Sequence, residues 1–149
     1  MKQALLAALF VAAATDMASA DGQAVFDTSC AFCHQAGGVG VPGQFPRLAG
    51  RVGTIAATPM GRAFLPKILL NGMSGRVTVD EQPILGIMPA VESLSDDDMA
   101  SVLTYLSGLD HAPVTFTTDE IKRARSEPKL SPTDVAAARE DLAAKKIVP

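Results

Sequence analysis

The sequence predicts an all-α domain that carries one small β-hairpin and ends in a helical extension. Three observations predict it. Helix-entry signals stand ahead of amphipathic runs at Asp21, at Ser95-Asp96-Asp97-Asp98 and at Ser131-Pro132. A short β-branched stretch, Val77-Thr78-Val79, meets the turn pair Asp80-Glu81. Two cysteines and a histidine share one pentapeptide, Cys30-Ala31-Phe32-Cys33-His34, whose spacing suits a single helical turn.

Asp21 caps a helix from about Gly22 to Cys30. Gly22, Phe26 and Cys30 recur at i, i+4 and i+8 and share a face. Glycine costs helix stability there, so Gly22 marks a close helix crossing. The stretch Gly37-Gly38-Val39-Gly40-Val41-Pro42-Gly43 is loop; no strand precedes it and no Lys-Ser/Thr follows, so it is no phosphate cradle. A helix is expected from Thr58 to Leu70, with Pro59 in its first turn. Pro66 inside it argues for a later start, and Asn71-Gly72 ends it. Ser95 opens the clearest helix, with Asp98 in place of the Glu/Gln of a capping box, an apolar stripe of Met99, Val102, Leu103 and Leu106, and Gly108 at its close. His111-Ala112-Pro113 breaks the helix, and two amphipathic segments follow, from about Thr118 to Arg125 and from Ser131-Pro132 to about Lys146.

The pentapeptide carries the chemistry. A C-x-x-C-H run is the attachment signal for a c-type haem: the thiols add to the porphyrin vinyl groups as thioethers, and His34 lies under the ring where Nε2 can bind iron. The chain has two cysteines, so no second pair completes a four-thiolate zinc or iron–sulfur site. A thioredoxin-like Cys30–Cys33 disulfide needs a βαβ pattern, and the flanks read as helix and loop. Trp is absent and aromatics make up 5% of the chain, a deficit of apolar bulk that a buried porphyrin would fill.

The N-terminus has the form of an export signal. Lys2 precedes an apolar run from Ala4 to Ala14, then Ala18-Ser19-Ala20 offers a small-residue cleavage site. The run is too short for the ~20 residues that span a bilayer. Residues 1–20 are therefore read as a signal peptide, with no membrane span in the mature chain and the periplasm as its compartment. A net charge of −3 argues against nucleic acid as a partner. Charge is unevenly placed: no acid occurs between Asp27 and Asp80, where Arg47, Arg51, Arg62, Lys67 and Arg76 fall, while Glu92 and Asp96 to Asp98 cluster later. These are read as solvated surface and helix-entry acids, or as a basic rim that steers a redox partner or pairs with propionates.

With His34 on one side of the iron, the other side decides between electron carrier and reactive centre. Met60, Met73 and Met88 are candidate ligands there, and Met88 is preferred because Pro89 stiffens its loop ahead of the Ser95 helix. Met60 and Met73 are assigned to loop or packing.

From Asp21 to about Leu109 the chain resembles class I c-type cytochromes. Gly22 and Phe26 match the helix that precedes the family's haem motif, Tyr105 matches the aromatic of its closing helix, and Met88-Pro89 matches its distal loop. Pro46-Arg47-Leu48-Ala49-Gly50 matches its proline–leucine–glycine loop. The resemblance implies that the Pro46 carbonyl accepts the His34 Nδ1–H, and that Leu48 contacts the cofactor. Gly75 to Val79, leading to Gly86-Ile87-Met88-Pro89-Ala90, is similar to the hairpin of cytochrome subunits in periplasmic quinoprotein-type dehydrogenases; Pro83 and Ile84 depart from that pattern.

These readings define the expectations. Residues 21–109 form a cytochrome domain holding one haem c through Cys30 and Cys33, with His34 and Met88 on iron, Pro46 and Leu48 in the cofactor site, and no catalytic residue. Residues 110–149 form an extension that is either a clamp on this domain or a docking arm for a catalytic subunit, with Val135, Leu142 and Ile147 available for either purpose. The expected function is outer-sphere transfer of single electrons, taken from a periplasmic dehydrogenase and passed to an oxidase or another cytochrome. The competing reading is a sensory or peroxide- or gas-reactive haem protein whose Met88 dissociates. It lacks a distal acid–base pair, since the other histidine, His111, lies past the closing helix.

Overall fold

The computed structural model describes residues 21–109 and 113–149; the expected export signal and His111 lie outside the described residues. The architecture is helical: α1 (Gly22–Ser29), α2 (Ala31–His34), α3 (Val52–Ala56), α4 (Pro59–Asn71), a hairpin of β1 (Met73–Val79) and β2 (Gln82–Met88), then α5 (Asp96–Gly108), α6 (Thr118–Ser126) and α7 (Pro132–Ala144).

Local chemistry sets most boundaries. The Asp21 carboxylate accepts from the amides of Gln23 (3.0 Å) and Ala24, opening α1. Thr58 caps α4 by accepting from the Gly61 amide, and Pro59 follows in the first turn. Pro66 does not delay the start of α4. It lies inside the helix and is buried with Phe64, Leu65, Leu69 and Leu70, so packing offsets the backbone bond it cannot make. Both halves of the Ser95/Asp98 capping box form, as do those of Thr117/Glu120 at α6 and Ser131/Asp134 at α7. The short α3 had no periodicity long enough to announce it. The glycine-rich loop holds one 3-10 turn at Ala36–Gly38 and a bridge between Val41 and Phe45.

The hairpin is longer than its β-branched core suggests. Asp80 and Glu81 both take positive φ (51° and 64°), the signature of a two-residue primed turn. Val79 then pairs with Gln82 and Thr78 with Pro83. The pair next to the turn exchanges backbone bonds, so the following pair does not. Pro83 therefore loses nothing by lacking an N–H, and the outward Thr78 carbonyl accepts from Arg139 of α7 at 2.9 Å.

α1 crosses α5 where Gly22 allows it. A Cβ at Gly22 would overlap the Ser101 carbonyl oxygen and come within 2.8 Å of the Tyr105 Cβ. Phe26, with no exposed surface, packs on Tyr105 at a ring separation of 5.7 Å. The main core joins Phe26, Leu65, Val102 and Leu103 to Ile121 of α6 and to Val135, Leu142 and Ile147 of the last segment. Complete burial of Ile121 and Val135 contributes about 1.5–3 kcal/mol each. The chain after α5 thus packs back onto the rest. Its link segment is fastened by hydroxyls of α5: Ser107 Oγ donates to the Val114 carbonyl (2.7 Å) and accepts from its amide (2.9 Å), and Thr104 Oγ accepts from the Phe116 amide.

Candidate functional site

α2 is the single turn expected of the pentapeptide. It leaves the Cys30 and Cys33 thiols half-buried and unlinked, and it buries His34 to 7% exposure. No strand flanks this turn, so the setting of a thioredoxin-like dithiol is absent among the described residues. Burial pushes the Cys30 thiol pKa up.

His34 is oriented by Pro46, whose carbonyl lies 2.8 Å from Nδ1. A carbonyl can only accept, so Nδ1 carries the proton and Nε2 keeps its lone pair. Burial pushes the imidazole pKa down, while the Pro46 bond pulls it back up; the neutral, metal-binding form is favoured.

The loop around Pro46 is held by glycines. Gly40, at φ 68°, donates its amide to the His34 carbonyl at 2.8 Å. A Cβ on Gly40 would approach the Phe45 carbonyl oxygen and the Arg47 nitrogen to 2.6 Å, so only glycine lets the two loop arms pass. The Leu48 and Ala49 amides both donate to the Gly38 carbonyl. Sequence reading found a loop here and missed that Gly40 braces the proline carbonyl.

Met88 ends β2, paired with Met73 across the hairpin. Met73 is therefore a strand residue, and Met60 lies in the first turn of α4, half-exposed, rather than in a loop. Gly72 passes under the Met88 loop: a Cβ there would sit 2.6 Å from the Met88 carbonyl oxygen and 2.8 Å from the Ala90 nitrogen. That role was also missed, since Asn71-Gly72 read simply as a helix stop.

Two cavities meet at these residues, and Cys33, His34, Met88 and Pro89 line both. The larger, about 300 Å³, is bounded by Cys30, Leu48, Leu65, Ile68, Leu103 and Leu106 among others. The smaller, about 100 Å³, is walled by Pro46 and the inner face of the hairpin. Among the described residues, no ionisable side chain lines either one apart from the two thiols and His34. Among the described residues no three His, Cys, Asp or Glu side chains converge, so the protein alone forms no closed metal cage. An apolar slot with two thiols on one turn, an oriented imidazole and a thioether on its wall fits a porphyrin that brings its own iron ligands.

The basic stretch has a different fate from a free rim. Arg47 and Arg51 both pair with Asp80 at the hairpin turn (2.8 and 3.2 Å), Arg62 with Glu120 of α6, and Lys67 with Glu127. Arg51 is buried and also donates to the Pro149 carbonyl. Arg76 stays exposed on β1. Most of these cations therefore fasten the hairpin and α6 to the body.

Thiol-anchored haem held in an apolar slot defines a c-type haem protein. The chain belongs to the cytochrome c family, whose model, "Cytochrome c", matches residues 19–110. It is 37% identical over 151 residues to a cytochrome c-552 of Thermus thermophilus, spanning 97% of this chain and 100% of that one. A second cytochrome c-552 of the same species is 38% identical over 132 residues, 85% of this chain and 99% of the relative. The fructose dehydrogenase cytochrome subunit of Gluconobacter japonicus is 33% identical over 120 residues, 75% of this chain but 23% of that subunit. The protein is an electron carrier with a covalently bound haem c. No helix among the described residues is long and apolar enough to cross a membrane.

Proposed function

We propose that this protein carries single electrons in the periplasm through a haem ligated by His34 and Met88 and attached through Cys30 and Cys33. Bound haem supplies a one-electron couple at iron, and a methionine ligand raises its potential relative to two nitrogen ligands. The chain's residues do the rest. Cys30 and Cys33 fix the ring in place, and Pro46 holds the His34 imidazole with Nε2 free. Leu48 and the helix side chains keep water from the slot. The Nδ1–Pro46 bond carries this reading, because it fixes both tautomer and ring direction. With His34 and Met88 both serving as iron ligands, the bound haem would offer no open position to a substrate, and the protein would act as a carrier and not itself as an enzyme. Among the described residues the cavity linings hold no acid–base pair, which favours this over the peroxide- or gas-reactive alternative.

Residues 1–20 serve as the export signal; the following residue, Asp21, is the cap of α1. Residues 21–109 hold the haem, and residues 110–149 clamp that unit. The electron donor is a periplasmic dehydrogenase and the acceptor an oxidase or another cytochrome, a reading supported by the match to a dehydrogenase cytochrome subunit. The test is the far-red methionine-to-iron charge-transfer band of the ferric holoprotein. It should vanish in Met88→Ala and persist in Met60→Ala and Met73→Ala. Survival of the band in Met88→Ala would remove Met88 as ligand.

A further inference from the structure

We propose that Arg125, in the last turn of α6, is a positioning residue that keeps Met88 on the iron by clamping the segment that follows it. The proposal rests on the His34/Met88 ligation put forward above. Between Met88 and α5 the chain runs without regular structure through Pro89 to Leu94, with Pro89, Ala90, Glu92 and Ser93 exposed. Val91 and Leu94 alone of this segment pack against the core, each partly buried, so tethers to its backbone add to what holds it in place. Arg125 reaches it with three parts of one guanidinium: Nη1 donates to the Glu92 carbonyl at 3.1 Å, Nη2 to the Leu94 carbonyl at 3.0 Å, and Nε to the Asp96 carboxylate at 2.7 Å. Nη2 also lies 3.8 Å from the sulfur of Met99, which has no exposed surface.

The opposite side of the segment is tied to α4. The Val91 amide donates to the Leu69 carbonyl at 2.8 Å, and Gly72 lies against the Met88 carbonyl. Asn71 Oδ1 in turn accepts from the Leu130 amide, so the α6–α7 link also holds the end of α4. Detaching Met88 requires this segment to open, and opening breaks the charge-assisted bonds of Arg125 to carbonyls that gain only water in return. The planar fork matters: a lysine can pair with Asp96 but cannot span two carbonyls and a carboxylate together.

Imidazole binding to the ferric holoprotein, followed by absorption, measures how readily Met88 yields its place. Arg125→Ala should bind imidazole about tenfold more tightly than the parent, the change expected from one lost hydrogen bond to a charged group. Arg125→Lys should fall between them. Arg62→Ala removes a comparable α4–α6 ion pair without touching residues 89–94, and should stay within about twofold of the parent even where its unfolding midpoint drops as far. The Val91 amide should exchange faster in Arg125→Ala than in Arg62→Ala. Met88→Ala gives the reference for an open position. If it binds imidazole no tighter than the parent, the ligation reading fails and this proposal with it. If Met88→Ala binds tightly while Arg125→Ala matches the parent or Arg62→Ala, the ligation stands and the clamp alone is overturned.

Discussion

Replacing Gly72 by alanine should damage the site more than its small volume suggests. Gly72 has φ 70° and ψ −173°, a region open essentially to glycine alone, where another residue costs about 1–3 kcal/mol. The added methyl would also sit 2.6 Å from the Met88 carbonyl oxygen and 2.8 Å from the Ala90 nitrogen, both backbone atoms that cannot rotate away. Relieving that overlap means moving the chain at Met88 itself. Strain and displacement together should lower stability by about 2–4 kcal/mol and weaken the far-red methionine band. Gly43→Ala is the matched control: its φ is 73°, yet nothing lies within 4 Å of a Cβ there. It should cost only the left-handed penalty of about 1–2 kcal/mol and leave the band intact. Urea unfolding of the ferric holoprotein and its absorption spectrum measure both effects. Equal stability losses in the two variants, or an unchanged band in Gly72→Ala, would refute the claim that Gly72 positions the Met88 loop.

The Arg62–Glu120 pair sets a pH response. The Arg62 hydrogen bond chiefly holds the Glu120 carboxyl at about 2, against 4.5 unperturbed, with Thr117 assisting. Between those values the unfolded chain binds more protons than the folded one, so this contribution is present above about pH 4.5 and is lost as pH falls toward 2. Solvent screening at this partly exposed pair limits it to about 1–2 kcal/mol, and Glu120→Gln should remove that part of the acid destabilisation seen by denaturant titration. A slope identical to the parent's would contradict the assignment. Ser107→Ala should cost about 1–3 kcal/mol, because it strips both partners from the Val114 backbone at a position with no exposed surface. A loss below about 0.5 kcal/mol would mean that water replaces the hydroxyl there.

Much of the helical layout was legible because its signals are local. Caps act over three residues, so Asp21, Ser95 and Ser131 announced α1, α5 and α7 at their true starts. The i, i+4, i+8 spacing of Gly22, Phe26 and Cys30 marked a helix crossing that the Gly22–Ser101 approach confirms. Pro66 misled, since propensity describes an isolated helix whereas α4 is held by the core around it. The full hairpin also exceeded its signal, because β1 and β2 are stabilised by α7 as well as by their own β-branched residues.

Chemistry-bearing residue types were likewise visible: thiols three apart, the adjoining imidazole, a methionine before a proline. What the sequence could not supply was aim. The fate of Arg47, Arg51 and Arg62 depended on acids 29 to 58 residues away, and a long guanidinium can reach any of several carboxylates until the chain is folded. The same holds for Gly40 and Gly72, whose importance lies in which backbone passes beside them, and for Arg125, whose fork meets carbonyls of a segment some thirty residues earlier. Residue identity and short-range spacing by themselves determined the family of cofactor and the helical class. Only the tertiary structure decided which glycines admit the loops and which arginine closes over the path from Met88, because each depends on long-range juxtaposition that no local spacing encodes.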